Sequence, residues 1–251
     1  MALRKINPFT YCAFKKEVGK TALGIINHFM KKDTDFWLNT LHNYSFRGSD
    51  YLQGQTVRIE FNKELTSYTG NTQLFEIANR ILGWGCLDPL SDSMRENLEA
   101  SLNCLNTLAQ DEDIDLNNLC VDRLASITKI YEMWDIDNWV IYDSYCARGL
   151  EWLIAVYWKQ IGYRQNEYQL LLPWTPGEVG TQVPGFPIAA TSNQKRLGFI
   201  YGSWLCKVIA EHLTAMDISK SFHWRPYHIE MLAFQLGHEI NDKKRILNYA
   251  Q

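Results

Sequence analysis

The sequence predicts a mainly α-helical protein with one minor β element. Two kinds of segment carry the helical part of that expectation. Apolar residues recur at three- and four-residue spacing along most of the chain, as a single buried helix face requires. The breaks between these stretches are rich in stopping and capping residues, such as Gly83-Trp84-Gly85 with Pro89, and the acidic run Asp111–Asn118. The β element rests on 55–61 (QTVRIEF), where Val57, Ile59 and Phe61 alternate with polar residues.

Taken in order, 16–32 places Leu23, Ile26 and Met30 on one face of an amphipathic helix. After the strand candidate, 72–82 (TQLFEIANRIL) reads as helix up to the Trp-Gly stop. Helices over 92–110 and 117–134 flank the acidic run, and a break at 135–142 precedes an apolar helix from Ser144 to Ile161. The stretch 173–193 holds four of the seven prolines and is expected to be irregular. Helices at 194–216 and 226–240 close the chain.

At 251 residues, with 46% apolar and 21% charged side chains, one globular body with a substantial core is expected and wholesale disorder is excluded. There is no run of about 18 apolar residues that would suggest a membrane span. The first twenty residues lack the apolar core of a secretory signal, so a cytoplasmic location is expected. The six cysteines are at least 16 residues apart and form no Cys-x-x-Cys pair, and the six histidines show no metal spacing. No metal or cofactor is expected.

The net charge of −3 speaks against a generally basic nucleic-acid binder, but its distribution is uneven. Residues 1–32 carry seven basic side chains against Glu17 alone, and residues 88–118 carry eight acidic ones against Arg95 alone. Such polarity allows one electropositive face, or simply two solvated helix faces. Phosphate-loop, dinucleotide, zinc-peptidase and nucleophile-elbow signatures are all absent.

Segment 122–150 (DRLASITKIYEMWDIDNWVIYDSYCARGL) holds the chemistry that remains. Asp143 follows the apolar run Trp139-Val140-Ile141-Tyr142 and stands at the mouth of the next helix. It can cap that helix, and a carboxylate fixed there lies at the positive end of the helix dipole. The residues alone leave open whether it is a cap only or also a working carboxylate.

SITKIYEMWDIDNWVIYDSYCARGL, together with FEIANRILGWG at 75–85 and WRPYHIEMLAFQLG at 224–237, resembles the bacterial 8-oxoguanine-glycosylase-like branch of the helix-hairpin-helix DNA glycosylase superfamily. The resemblance spans residues 75–237. It implies two helical lobes with a cleft between them, one formed by about 1–70 with the C-terminal helices and the other by about 71–165. It also implies an enzyme that swings a modified base out of double-stranded DNA and cleaves its bond to deoxyribose. No obligatory protein partner is implied.

By that resemblance Asp143 stabilises the positive charge that develops on the sugar. Lys129, 14 residues before it, takes the place of the lysine that attacks the sugar in lyase-competent relatives. LASIT stands where the superfamily carries its Leu-Pro-Gly-x-Gly hairpin, so a phosphate contact or a surface position stay open for Lys129. Trp84, Trp224 and Phe234 are candidates for stacking on the base, or are core residues. Glu230 is a candidate for reading a base edge, or an exposed helix acid. Arg47, Arg123 and Arg148 are candidates for gripping phosphates. The implied substrates are a bulky modified cytosine of phage DNA, such as glucosylated hydroxymethylcytosine, and 8-oxoguanine. The mild acidity and missing hairpin favour the first. A non-catalytic helical module that binds nucleic acid or protein is the alternative.

Overall fold

The computed structural model describes residues 10–112, 115–162, 183, 186, 188–216 and 222–241. Among these residues the protein is helical and contains no strand. The helices are α1 (Tyr11–Lys32), α2 (Phe36–His42), α3 (Tyr51–Thr66), α4 (Asn71–Trp84) and α5 (Asp92–Ala109), then α6 (Leu124–Trp134), α7 (Ser144–Gln160), α8 (Ser192–Ala215) and α9 (Pro226–Asn241).

The expected strand at 55–61 lies inside α3. Asp50 starts this helix with a capping box: its side chain accepts from the Gln53 N–H, and Gln53 reaches back to the Asp50 N–H. The buried positions are Gly54, Arg58 and Leu65, at helical spacing, whereas Val57, Ile59 and Phe61 are only half-buried. The apolar alternation that suggested a strand is therefore not the buried face. Two residues, Phe46 and Ser49, form an isolated β-bridge across a tight turn.

Helix α1 begins earlier than the spacing suggested, where Thr10 caps it by accepting from the Ala13 N–H. Its buried face runs through Phe14, Val18, Ala22, Ile25, Ile26 and Phe29, which leaves Leu23 exposed. The expected helix over 117–134 is interrupted: a 3-10 turn at Leu116–Asn118 is followed by α6, and Arg123 takes a left-handed φ of 46° between them. Most of the proline-rich stretch 173–193 lies outside the described residues.

Helix α3 and helix α4 both pack on α6, and α1 packs on α8. Helices α7 and α9 make the most intimate pair. A Cβ placed on Gly149 of α7 would lie 1.9 Å from the Ala233 carbonyl oxygen of α9. One placed on Gly237 of α9 would lie 1.9 Å from the Tyr145 carbonyl oxygen of α7. Each helix thus supplies a glycine where the other's backbone touches it, and side chains near the start of α7 meet those on the middle of α9. No helix among the described residues is long and apolar enough to cross a membrane.

Candidate functional site

The segment between α6 and α7 is held from below by Thr128. Its hydroxyl donates to the Leu124 carbonyl one turn back and accepts from the Tyr142 N–H at 3.1 Å. Trp139, Val140, Ile141 and Tyr142 are buried, so the chain has little freedom in where it delivers Asp143. Asp143 then caps α7: its Oδ1 accepts from the Tyr145 and Cys146 N–H groups, both at 2.9 Å. The sequence-based expectation of a cap at this position matches the structure. One carboxylate oxygen meets both bonds, so Oδ2 is left for other work.

Asp143 also lines a pocket with Tyr44, Phe46, Arg58, Trp84, Lys129, Ile141, Glu230 and Phe234. The pocket brings together five side chains picked from three separated stretches of sequence: Trp84, Lys129, Asp143, Glu230 and Phe234. Glu230 and Phe234 stand one helical turn apart on α9, which puts both on the face turned to the pocket. Counted to its open mouth the pocket holds about 230 Å3. Its interior has room for about one water molecule.

Lys129 is almost wholly buried, with its Nζ donating to the Ala125 carbonyl at 3.3 Å. Its aliphatic stem lies over Gly85, where a Cβ would come within 2.8 Å of Cε. The Trp-Gly end of α4 thus serves the site twice: Trp84 forms a wall, and Gly85 leaves room for the lysine. The walls are aromatic. The Phe46 ring lies 5.3 Å from Trp84 and 6.0 Å from Phe234, and Tyr44 packs against Phe234 at 6.0 Å.

The deepest part of the site is ionic. Arg58 is fully buried and donates from Nε to Glu132 at 3.0 Å, from Nη2 to Glu230 at 2.7 Å, and from Nη1 to the Gly54 carbonyl at 3.2 Å. Its guanidinium also lies 5.7 Å from the centre of the Trp84 ring, a cation–π contact. Burial is the largest cause that pushes Glu132 above the usual carboxylate range, with Arg58 opposing it. Burial likewise pushes Glu230 up, with Arg58 opposing it and the Glu132 and Asp143 carboxylates adding to it. Glu230 is therefore no exposed helix acid.

Four candidates take other positions. Trp224 is buried against Phe222 and His228, just before α9 begins, and lines a separate groove with Asp137, Lys207 and Arg225. It is a core residue and not a wall of the Asp143 pocket. Arg123 donates both Nη groups to its own chain, to the Asp88 and Pro89 carbonyls, and so ties the loop after α4. Arg148 is buried on α7, beside the Tyr145 ring and 3.5 Å from the Gly237 carbonyl. Arg148 is thus buried away from any phosphate, whereas Arg123 is half-exposed with both Nη groups engaged by carbonyls. Arg47 is exposed at the rim, over the Phe46 ring, in a turn where it and Gly48 take φ of 55° and 80°.

Arg58, Glu132, Tyr44 and Phe46 belong to the site and were not singled out from sequence. The capping box at Asp50–Gln53 was the available signal for α3, and with it for Arg58 on a buried helix face. Among the described residues no group of three His, Cys, Asp or Glu side chains could hold a metal ion. Compared with known proteins, the chain matches no family model, no curated protein and no solved structure.

Proposed function

We propose that this chain is a DNA glycosylase of the helix-hairpin-helix kind, which takes a modified base into the Asp143 pocket and cuts its bond to the sugar. The observation that carries the reading is a rigidly capped Asp143, whose Oδ2 takes no hydrogen bond among the described residues, lining one aromatic-walled pocket with a buried lysine. An excisable base needs flat apolar walls to stack on once it leaves the duplex. Trp84, Phe46, Tyr44 and Phe234 supply them. As the base departs with the electrons of the glycosidic bond, positive charge grows on C1′ and its ring oxygen, and a fixed carboxylate beside them lowers that barrier.

Water then adds at C1′ and gives up a proton to a nearby base such as Asp143. In the lyase form, the Lys129 amine adds to C1′ instead, and opening of the sugar leaves an imine. The substrate is a modified base, with phage-type modified cytosine and 8-oxoguanine as the two leading cases. The pocket as it stands is too narrow for either, so the turn that carries Phe46 must move aside.

The experiment incubates the full chain with phage DNA rich in glucosylated hydroxymethylcytosine, and separately with an 8-oxoguanine duplex. Abasic sites are scored by alkaline cleavage. Asp143→Asn keeps the cap, since asparagine serves as well there, and should lose at least about a thousandfold in excision with little change in melting temperature. Borohydride trapping of a covalent adduct that disappears in Lys129→Ala assigns the amine. Trapping that survives the substitution removes Lys129 from that role. No base release from either DNA, with DNA binding unchanged in Asp143→Asn, would favour a non-catalytic binding module.

A further inference from the structure

The Arg58 cluster holds more carboxylates than it can neutralise. Two cations, Arg58 and Lys129, face three carboxylates, Glu132, Glu230 and Asp143, and four of these five groups are buried. In a medium that stabilises charge poorly, one added proton restores neutrality. Geometry says where that proton sits. Glu132 accepts from Arg58 Nε, the Ile141 backbone N–H also favours its charged form, and its enclosed Oε1 meets no acceptor for an O–H. Glu230 gives Oε2 to Arg58, and no hydrogen bond to its Oε1 is found among the described residues, which leaves Oε1 as the atom able to carry a proton onward. Glu230 lines the pocket, so an O–H on Oε1 can donate into it.

We propose that Arg58 and Glu132 hold Glu230 as an uncharged acid whose Oε1–H donates into the pocket, so that the site takes a base offering a lone pair there, such as N3 of a cytosine, over one offering an N–H, such as N1–H of a guanine. The inference rests on the pocket being a base pocket. An ionised carboxylate only accepts hydrogen bonds and would select the opposite edge. Glu230 is a specificity residue in this scheme, and Glu132 is a positioning residue that acts through Arg58. The groups that face Glu230 are Arg58 from α3, Lys129 and Glu132 from α6, Asp143 and Cys146 at the start of α7, and Tyr44 from the loop before α3. Asp143 and Glu132 favour the uncharged form of Glu230, and Arg58 and Lys129 oppose it.

Two measurements on the full chain test this. Infrared spectra should show the carbonyl stretch of a protonated carboxyl at neutral pH, absent from Glu230→Gln and lost from Glu132→Gln, which leaves one carboxylate for one guanidinium. Binding is then measured to two duplexes, each with one 2′-fluoro nucleotide that resists cleavage, bearing 5-hydroxymethylcytosine in one and 8-oxoguanine in the other. The wild type should prefer the cytosine duplex by at least about tenfold at pH 7.5. Glu230→Gln, whose amide also donates, should keep that preference. Glu132→Gln should lose it at pH 7.5 and regain it at pH 5.5, a pH shift that a merely structural role would not produce. Duplex binding without the protonated band, or with a preference that Glu132→Gln does not move, overturns the proposal and leaves the base pocket standing. Binding of neither duplex overturns both.

Discussion

At the floor of the pocket, Arg58 commits three N–H donors to Glu132, Glu230 and the Gly54 carbonyl, and Asp143 takes two backbone N–H groups of α7. At its mouth, Phe46 and Arg47 ride a two-residue turn closed by the paired Phe46 and Ser49 backbone bonds. Arg47 holds a left-handed φ there, which costs a non-glycine residue about 1 kcal/mol. The groups suited to chemistry are fixed by charged hydrogen bonds or a helix cap, and the turn that closes the pocket by its own paired backbone bonds, ring contacts and a Ser45 N–H to Gln235 bond of 3.4 Å. Bistable parts belong where a ligand enters, and rigid ones where geometry decides a rate.

The largest effect is expected at the helix pair beneath the floor. Gly237→Ala would drive a methyl group into the Tyr145 carbonyl, and α9 would have to move off α7. We expect a loss of roughly 1–3 kcal/mol in denaturant unfolding and, on the proposed glycosylase reading, excision falling further than stability because Asp143 and Glu230 are pulled apart. Gly83→Ala is the matched control: a Cβ there meets nothing within 4 Å, and the exposed helical site should tolerate or gain from alanine. Equal stability of the two variants would break the contrast between a tight floor and a loose surface.

The next effect is a pH dependence. His228, two residues before Glu230, accepts the Arg225 N–H on Nδ1 at 3.0 Å, so its own proton belongs on Nε2, towards Gln55. Burial, and then the Arg58 and Arg225 charges, hold its pKa down at about 3. A folded value below the unfolded one gives stability that is present above about pH 6.5 and is lost as pH falls towards 3. The loss approaches about 1.4 kcal/mol per pH unit within that window. His228→Asn should flatten the slope of unfolding free energy between pH 6.5 and 4.5. Glu132 and Glu230, raised by burial, act with the opposite sign, so the slope is compared between variant and wild type.

The same contrast explains what could be read in the sequence. The start of α7 was legible because an apolar run that ends in Asp-Ser is a local signal with one physical meaning, a buried segment delivering a cap. Glu230 and Phe234 were singled out only through the resemblance carried by 224–237, and they stand one turn apart on α9. Helix α3 was not legible, because its buried face is Gly54 and Arg58, with a half-buried Asn62, before it reaches Leu65, and such a stripe does not register as hydrophobic periodicity. Gly54 there admits Tyr44 and Met231, and Asn62 ties down the last carbonyls of α6. Such a helix makes sense only once its partners are known. Trp224 misled for a related reason: nearness to a motif in sequence placed it before the helix begins, off the face that Glu230 and Phe234 share.

The smallest effect is expected at the mouth. Phe46 is half-buried and its ring touches both Trp84 and Phe234. Phe46→Ala should cost only about 1 kcal/mol of stability, since much of the ring is already wet. It should speed association with a duplex bearing a 2′-fluoro modified nucleotide by about three- to tenfold, because the closed form no longer has to be displaced first. Dissociation should also quicken, since one stacking surface is gone. Stopped-flow fluorescence separates the two rates. Faster entry with faster exit makes Phe46 a closure that the base displaces. Unchanged entry with faster exit makes it a fixed wall, and the strain at Arg47 would then serve to hold that wall still rather than to let it swing.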